Sequence, residues 1–115
     1  VPLHLEMTEY QLHEQVASYL NLALPPQTIW HHSPNEGRHK PQYYAKQKRL
    51  GVKKGWPDIE IIHRGRPVFI ELKTEKGRVS QAQKERHEEL ILAGACVTIC
   101  RSLEEVKTFV ETAIV

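Results

Sequence analysis

The stretch Asp58-Ile59-Glu60-Ile61-Ile62-His63-Arg64-Gly65-Arg66-Pro67-Val68-Phe69-Ile70-Glu71-Leu72-Lys73 decides the fold of this 115-residue chain. Two apolar-rich runs, 58–63 and 68–73, flank Arg64-Gly65-Arg66-Pro67, the signature of a β-hairpin. A hairpin centred on Gly65-Arg66 pairs His63 with Val68, Ile62 with Phe69, Glu60 with Glu71 and Asp58 with Lys73. Side-chain alternation then sends Asp58, Glu71 and Lys73 to one face of the sheet. Asp58 and Glu71 become diagonal neighbours, roughly 7–8 Å apart at the backbone, from where two carboxylates can converge on one divalent ion. Glu71 and Lys73 stand in an otherwise apolar strand, where charge is costly unless paired or bound to metal. A buried Asp-Glu-Lys ion pair is the structural alternative. Two acids beside one lysine, however, leave surplus negative charge that a cation would offset.

The flanking segments supply the rest of the fold. Upstream, Thr8 and Gln11 have capping-box spacing. Leu12, Val16, Tyr19, Leu20 and Ala23 form a helical stripe from Thr8 to about Leu22, which Pro25-Pro26 ends. Thr28 to His32 is short and β-prone. Ser33 to Lys40 reads as loop. Gln42 to Leu50 reads as a short basic helix stopped by Gly51. Downstream, Ser80 and Gln83 open a helix to about Ala93. Cys96 to Cys100 is another strand. Ser102 and Glu105 open a last helix burying Leu103, Val106, Phe109, Val110 and Ile114. The order α-β-(α)-β-β-α-β-α implies an α/β fold, a mixed central sheet flanked by helices.

A chain of this length is expected to form a single domain over residues 1–115. With 40% hydrophobic and 26% charged residues it is globular rather than disordered. It contains nothing like the roughly 20 apolar residues of a membrane span. No charged-then-apolar leader opens it, so the expected location is the cytoplasm; the start at Val1 fits a trimmed chain. Cys96 and Cys100, roughly 13 Å apart along a strand, are too distant for a disulfide, and are expected to be small core or near-core residues. Charge is uneven: Arg38, Lys40, Lys46, Lys48, Arg49, Lys53 and Lys54 lie between Glu36 and Asp58, while all 14 acids lie outside that window. Such a block points to a polyanionic partner; a solvated loop and helix face is the plainer alternative.

Two further polar residues are candidates for the site. At about 100° per residue, Glu9 lies within about 60° of Leu12 and Val16, whereas Glu14 falls about 200° from Leu12 and should face water. Glu9 therefore either reaches the carboxylate pair or only stabilises the first helical turn. Gln83 either caps its helix with Ser80 or positions a water or a phosphate oxygen. The seven histidines show no zinc-site spacing: His13-Glu14 is followed at position 17 by Ala17, which removes the zinc-protease helix. His31-His32 could approach the site from the neighbouring strand, but alternation lets only one face each side, and paired histidines in a strand are more often structural or surface residues.

Gly55-Trp56-Pro57-Asp58, followed after twelve residues by Glu71-Leu72-Lys73, resembles the PD-(D/E)xK nuclease superfamily. The closer resemblance is to the VRR-NUC domain, of the stand-alone type found in phages and bacteria. It includes Thr8-Glu9, Gly51 to Asp58, Phe69 to Lys73, Gly77, Val79 to Gln83 and Gly94-Ala95, and so spans about Thr8 to Val110. Glu60 departs from it, since an apolar residue is expected there, and could be an additional acid in place of Glu9.

The resemblance implies a restriction-endonuclease-like core and a magnesium- or manganese-dependent nuclease. Asp58, Glu71 and the Leu72 carbonyl would ligate Mg²⁺ or Mn²⁺, with Glu9 binding directly or through water; hard oxygen donors suit these ions. Lys73 would orient the attacking water and offset transition-state charge. Lys53 and Lys54 would hold the flanking backbone. The expected function is an endonuclease hydrolysing phosphodiester bonds of DNA at branched structures such as four-way (Holliday) junctions or flaps, acting as a homodimer. The alternatives are a non-catalytic nucleic-acid-binding module gripping phosphates through residues 38–54, and a subunit of a DNA repair or phage replication complex.

Overall fold

The computed structural model describes residues 6–34 and 39–114. Its elements run α1 (Glu9–Ala23), β1 (Thr28–His32), α2 (Pro41–Arg49), β2 (Ile59–His63), β3 (Arg66–Leu72), α3 (Gln81–Leu92), β4 (Cys96–Cys100) and α4 (Leu103–Ala113). The expected order holds. Both capping boxes form: the hydroxyls of Thr8 and Ser80 accept from the amides of Gln11 and Gln83, whose side chains accept from the cap amides in return. Ser102 caps α4 by accepting from Glu105 N.

The sheet order is β1-β2-β3-β4, with antiparallel pairs β1–β2 and β2–β3 and a parallel pair β3–β4. The parallel strands are joined through α3, which is the crossover connection that parallel pairing needs. Leu12, Val16 and Leu20 of α1 and Val106 and Val110 of α4 pack with Ile59, Ile61, Val68, Ile70 and Leu72 as the core. α3 runs against the opposite face, where it buries His87. Tyr19 packs partly against the core, while Ala23, at the end of the stripe, is exposed. No helix among the described residues is long and apolar enough to cross a membrane.

The hairpin register corrects the expected one by two residues. His63 pairs with Arg66, Ile61 with Val68, Glu60 with Phe69 and Ile59 with Ile70. The turn is the two-residue Arg64-Gly65, with φ of 49° and 79°. Two successive positive φ values make a primed turn, whose twist matches that of the strands. A tight turn one residue earlier than assumed moves every partner by two positions. Because the shift is even, each side chain keeps its face, and continuing the ladder sets Asp58 across from Glu71 rather than Lys73. Glu60 faces Phe69 and His31 instead of Glu71.

The cysteines are both free, but only Cys100 is in the core; Cys96, at the start of β4, is exposed.

Candidate active site

The site is built at the end of the sheet where β2 begins and β3 ends. Gly55 allows this approach. Its φ is +76°, and a Cβ there would stand 2.3 Å from Ala82 O and 2.8 Å from Gln83 N. Only glycine lets the segment before β2 touch the first turn of α3. Trp56 then packs edge-on against Phe69, with ring centroids 5.6 Å apart, and Pro57 is buried.

Asp58 is a bend residue one place before β2, so its carboxylate is not confined to one sheet face. Its carbonyl accepts from Ser33 N at 2.9 Å. Its Oδ2 accepts from Leu72 N at 2.7 Å, and its Oδ1 lies 4.0 Å from His13 Nε2. The Asp58 carboxylate therefore stands between α1 on one side and Glu71 on the other. In an extended strand the N–H and C=O of one residue point the same way, so the Leu72 carbonyl faces the side where Asp58 lies.

Glu71 is 1% exposed and accepts or shares a hydrogen bond with His87 Nε2 at 3.0 Å. Burial first, then the hydrogen bond and charge of Asp58, push the Glu71 carboxyl up to about 9, although Lys73 acts in the opposite sense. Burial, and next the charge of Lys73, push the His87 imidazole down. Both partners are thus driven toward their neutral forms, and in the metal-free protein their contact is a neutral hydrogen bond rather than an ion pair. Lys73 forms no ion pair with either acid among the described residues, so a simple Asp-Glu-Lys salt bridge does not account for the cluster. A buried carboxyl whose pKa is raised first by burial and next by its Asp58 neighbour forms with Asp58 a donor set that fits a divalent cation, which would displace the proton that burial favours.

Glu9 is half exposed, with its Oε1 4.0 Å from His13 Nε2. It lines the cleft of about 550 Å³ that also holds Asp58, His13, His32 and Gln83. Its charge is felt at Glu71. Glu14, expected to face water, is exposed but lines the same cleft. Gln83 caps α3, its Oε1 accepting from Ser80 N at 2.9 Å, and the residue also lines the cleft.

Two features escape a reading of the chain alone. His87 lies one helical turn after Gln83 on α3, and that i, i+4 spacing from a site residue was the available signal. His13, His32 and Asp58 place one ligand atom each within 4.8 Å of one another, of which the sequence offered only the approach of a β1 histidine toward the site. They come from three separate elements, so no spacing could show it.

The basic residues take two positions. Lys46, Lys48 and Arg49 lie in the last turn of α2, where cations complement the helix dipole. Lys48, Lys53 and Lys54 line a broad cleft of about 860 Å³ with Tyr43, Tyr44 and Arg86. Arg86 Nε donates to Lys54 O at 3.0 Å, tying this loop to α3. Lys40, the N-cap of α2, is exposed. Arg38 lies outside the described residues.

No family profile matches the sequence, and no curated protein matches it. Among solved structures, one described as "VRR_NUC domain protein" is 27% identical, covers 94% of this chain and 88% of its own, and superposes with a TM-score of 0.75. A second, described as "VRR_NUC domain", is 24% identical, with coverage of 90% and 95% and a TM-score of 0.62, and agrees in fold. Shared architecture over nearly the whole length makes this chain similar to solved structures described as VRR_NUC domains, and Gly55-Trp56-Pro57-Asp58 and Glu71-Leu72-Lys73 stand side by side at one end of the common sheet.

Proposed function

We propose that the chain, acting as a single domain, is a Mg²⁺- or Mn²⁺-dependent endonuclease that hydrolyses phosphodiester bonds in DNA, with branched DNA such as four-way junctions or flaps as its substrate. The observation that carries this reading is the Asp58–Glu71 carboxyl pair, held together by burial and by Leu72 N, with the positive charge of Lys73 acting on it. Asp58, Glu71 and the Leu72 carbonyl would hold the metal, and Glu9 would reach it from the rim of the cleft. When bound, the cation polarises the scissile phosphate and lowers the pKa of a bound water.

The chain's own residues do the remaining work. Lys73 orients the attacking water and offsets charge on the phosphorus as it becomes five-coordinate. His87 fixes the Glu71 carboxyl from behind. Gln83, anchored through Oε1, leaves its amide N–H groups free to meet a phosphate oxygen or the water. Lys46, Lys48, Arg49, Lys53 and Lys54 grip the flanking backbone, with Arg38 and Lys40 extending the basic surface. Tyr43, stacked on His39 at a centroid distance of 3.9 Å and exposed, offers a ring to an unstacked base. We further propose a two-fold homodimer that presents two sites to one junction. The paired Ile29 and Ile62, exposed on the sheet face that α3 leaves uncovered, fit such contact.

The test is incubation of purified protein with labelled junction, flap and duplex DNA in the presence of Mg²⁺. Cutting of the branched substrates that vanishes in Glu71→Ala and Lys73→Ala is expected. Cleavage that persists in both variants rejects the assignment of the site.

A further inference from the structure

His13, in the second turn of α1, His32, the last residue of β1, and Asp58, in the bend before β2, converge on the cleft wall beside the carboxyl pair. The imidazole rings of His13 and His32 lie with centroids 4.8 Å apart, tilted by 49° to each other. Neither ring makes a hydrogen bond to another described residue. Both are only partly exposed, and the polar groups facing His13 Nε2 are carboxylates. Asp58 is anchored through Oδ2, while its Oδ1 lies 4.0 Å from His13 Nε2. The carboxylate of Glu9 stands at the same distance from that nitrogen.

We infer that His13, His32 and Asp58, with Glu9 as a fourth donor, form a mixed nitrogen–oxygen site for a transition-metal dication such as Co²⁺, Zn²⁺ or Mn²⁺, next to the all-oxygen pocket of Asp58, Glu71 and Leu72 and sharing Asp58 and the rim residue Glu9 with it. Two imidazoles and two carboxylates are a donor set that favours these ions over Mg²⁺. The spacing suits it. Tetrahedral bonds of about 2.1 Å set donor atoms about 3.4 Å apart, so the donor atoms of His13, His32 and Asp58, all within 4.8 Å of one another, need only small side-chain rotations to close, and Glu9 reaches the group from its place 4.0 Å from His13 Nε2. The two carboxylates balance the dication's charge. Sharing Asp58 links this inference to the proposed nuclease site, and the two are separated as follows.

The experiment is Co²⁺ titration of the untagged chain, read by visible absorption and by calorimetry. Wild type should develop the d–d bands of a nitrogen-ligated ion. His13→Ala and His32→Ala should each weaken Co²⁺ binding at least about tenfold, since even outer partners of a metal ligand are worth that much. His13→Gln and His32→Gln, which keep bulk and polarity, should do the same, with far-UV dichroism and Tm of the metal-free forms confirming that each is folded. Glu71→Gln should retain the nitrogen-ligated spectrum. Unchanged Co²⁺ affinity in the histidine variants, or loss of the spectrum in Glu71→Gln, overturns the inference. DNA cutting with Mg²⁺ is scored separately. A chain that binds Co²⁺ through imidazole and cuts nothing defeats the nuclease reading alone, and a chain that cuts but shows no imidazole ligation defeats this one alone.

Discussion

Nε2 of His87 lies 3.0 Å from Oε1 of Glu71, both buried between α3 and the sheet. This contact joins the helix after the Glu71-Leu72-Lys73 strand to the carboxyl proposed as a metal ligand, and it fixes where that carboxyl points. Outer partners of this kind hold a ligand in one orientation.

Replacing His87 by Ala should leave a buried carboxyl with one partner fewer. The expected loss of stability is about 1–3 kcal/mol, read by urea unfolding. Mg²⁺ affinity should fall by about 10- to 100-fold, read by calorimetry. A variant with wild-type stability and wild-type metal affinity would show that the contact is incidental.

The raised pKa of Glu71 predicts a pH dependence of definite sign. The folded-state value of about 9 exceeds the ordinary 4.5, so between those values the folded protein holds a proton that the unfolded chain has released. Stability of the metal-free protein is therefore full below about pH 4.5 and declines as pH rises toward 9. Metal must displace that proton, so Mg²⁺ affinity should rise with pH by up to about tenfold per unit below that value. Glu71→Gln should flatten the stability profile on the alkaline side. Unfolding curves and Mg²⁺ titrations at a series of pH values check both trends.

Gly55→Ala should disrupt the junction between the 51–57 turn and α3. The added Cβ would meet backbone atoms of Ala82 and Gln83 at a left-handed position, so the backbone itself must move. A destabilisation of about 2 kcal/mol or more is expected, with nuclease activity falling further than stability because Asp58 and Gln83 shift together. A Tm within a degree of wild type would contradict the packing described.

The double variant Lys53→Ala/Lys54→Ala should weaken DNA binding at every sequence alike. The slope of log affinity against log salt should flatten by roughly one unit for each lost phosphate contact. Binding measured from low to physiological salt by fluorescence anisotropy reads this slope. An unaltered slope would place the DNA elsewhere on the surface.

The sequence by itself determined the helices, the four strands and the nearness of Asp58 to the Glu71-Leu72 strand end. Capping boxes at Thr8 and Ser80, apolar stripes on α1 and α4, and alternation in β2 and β3 are local signals, and local signals survive folding. The pairing partner of Asp58 was misjudged because register follows the turn, and Arg64-Gly65 closed one residue sooner than the assumed centre. The error was harmless to the site, since a two-residue slip preserves the face of every side chain. Tertiary structure alone decided what surrounds the carboxyls. The His87 contact, the close approach of Gly55 to α3, and the meeting of His13 and His32 with Asp58 each join elements distant in the chain. Their distances depend on how helices settle on the sheet, which no spacing along the sequence encodes.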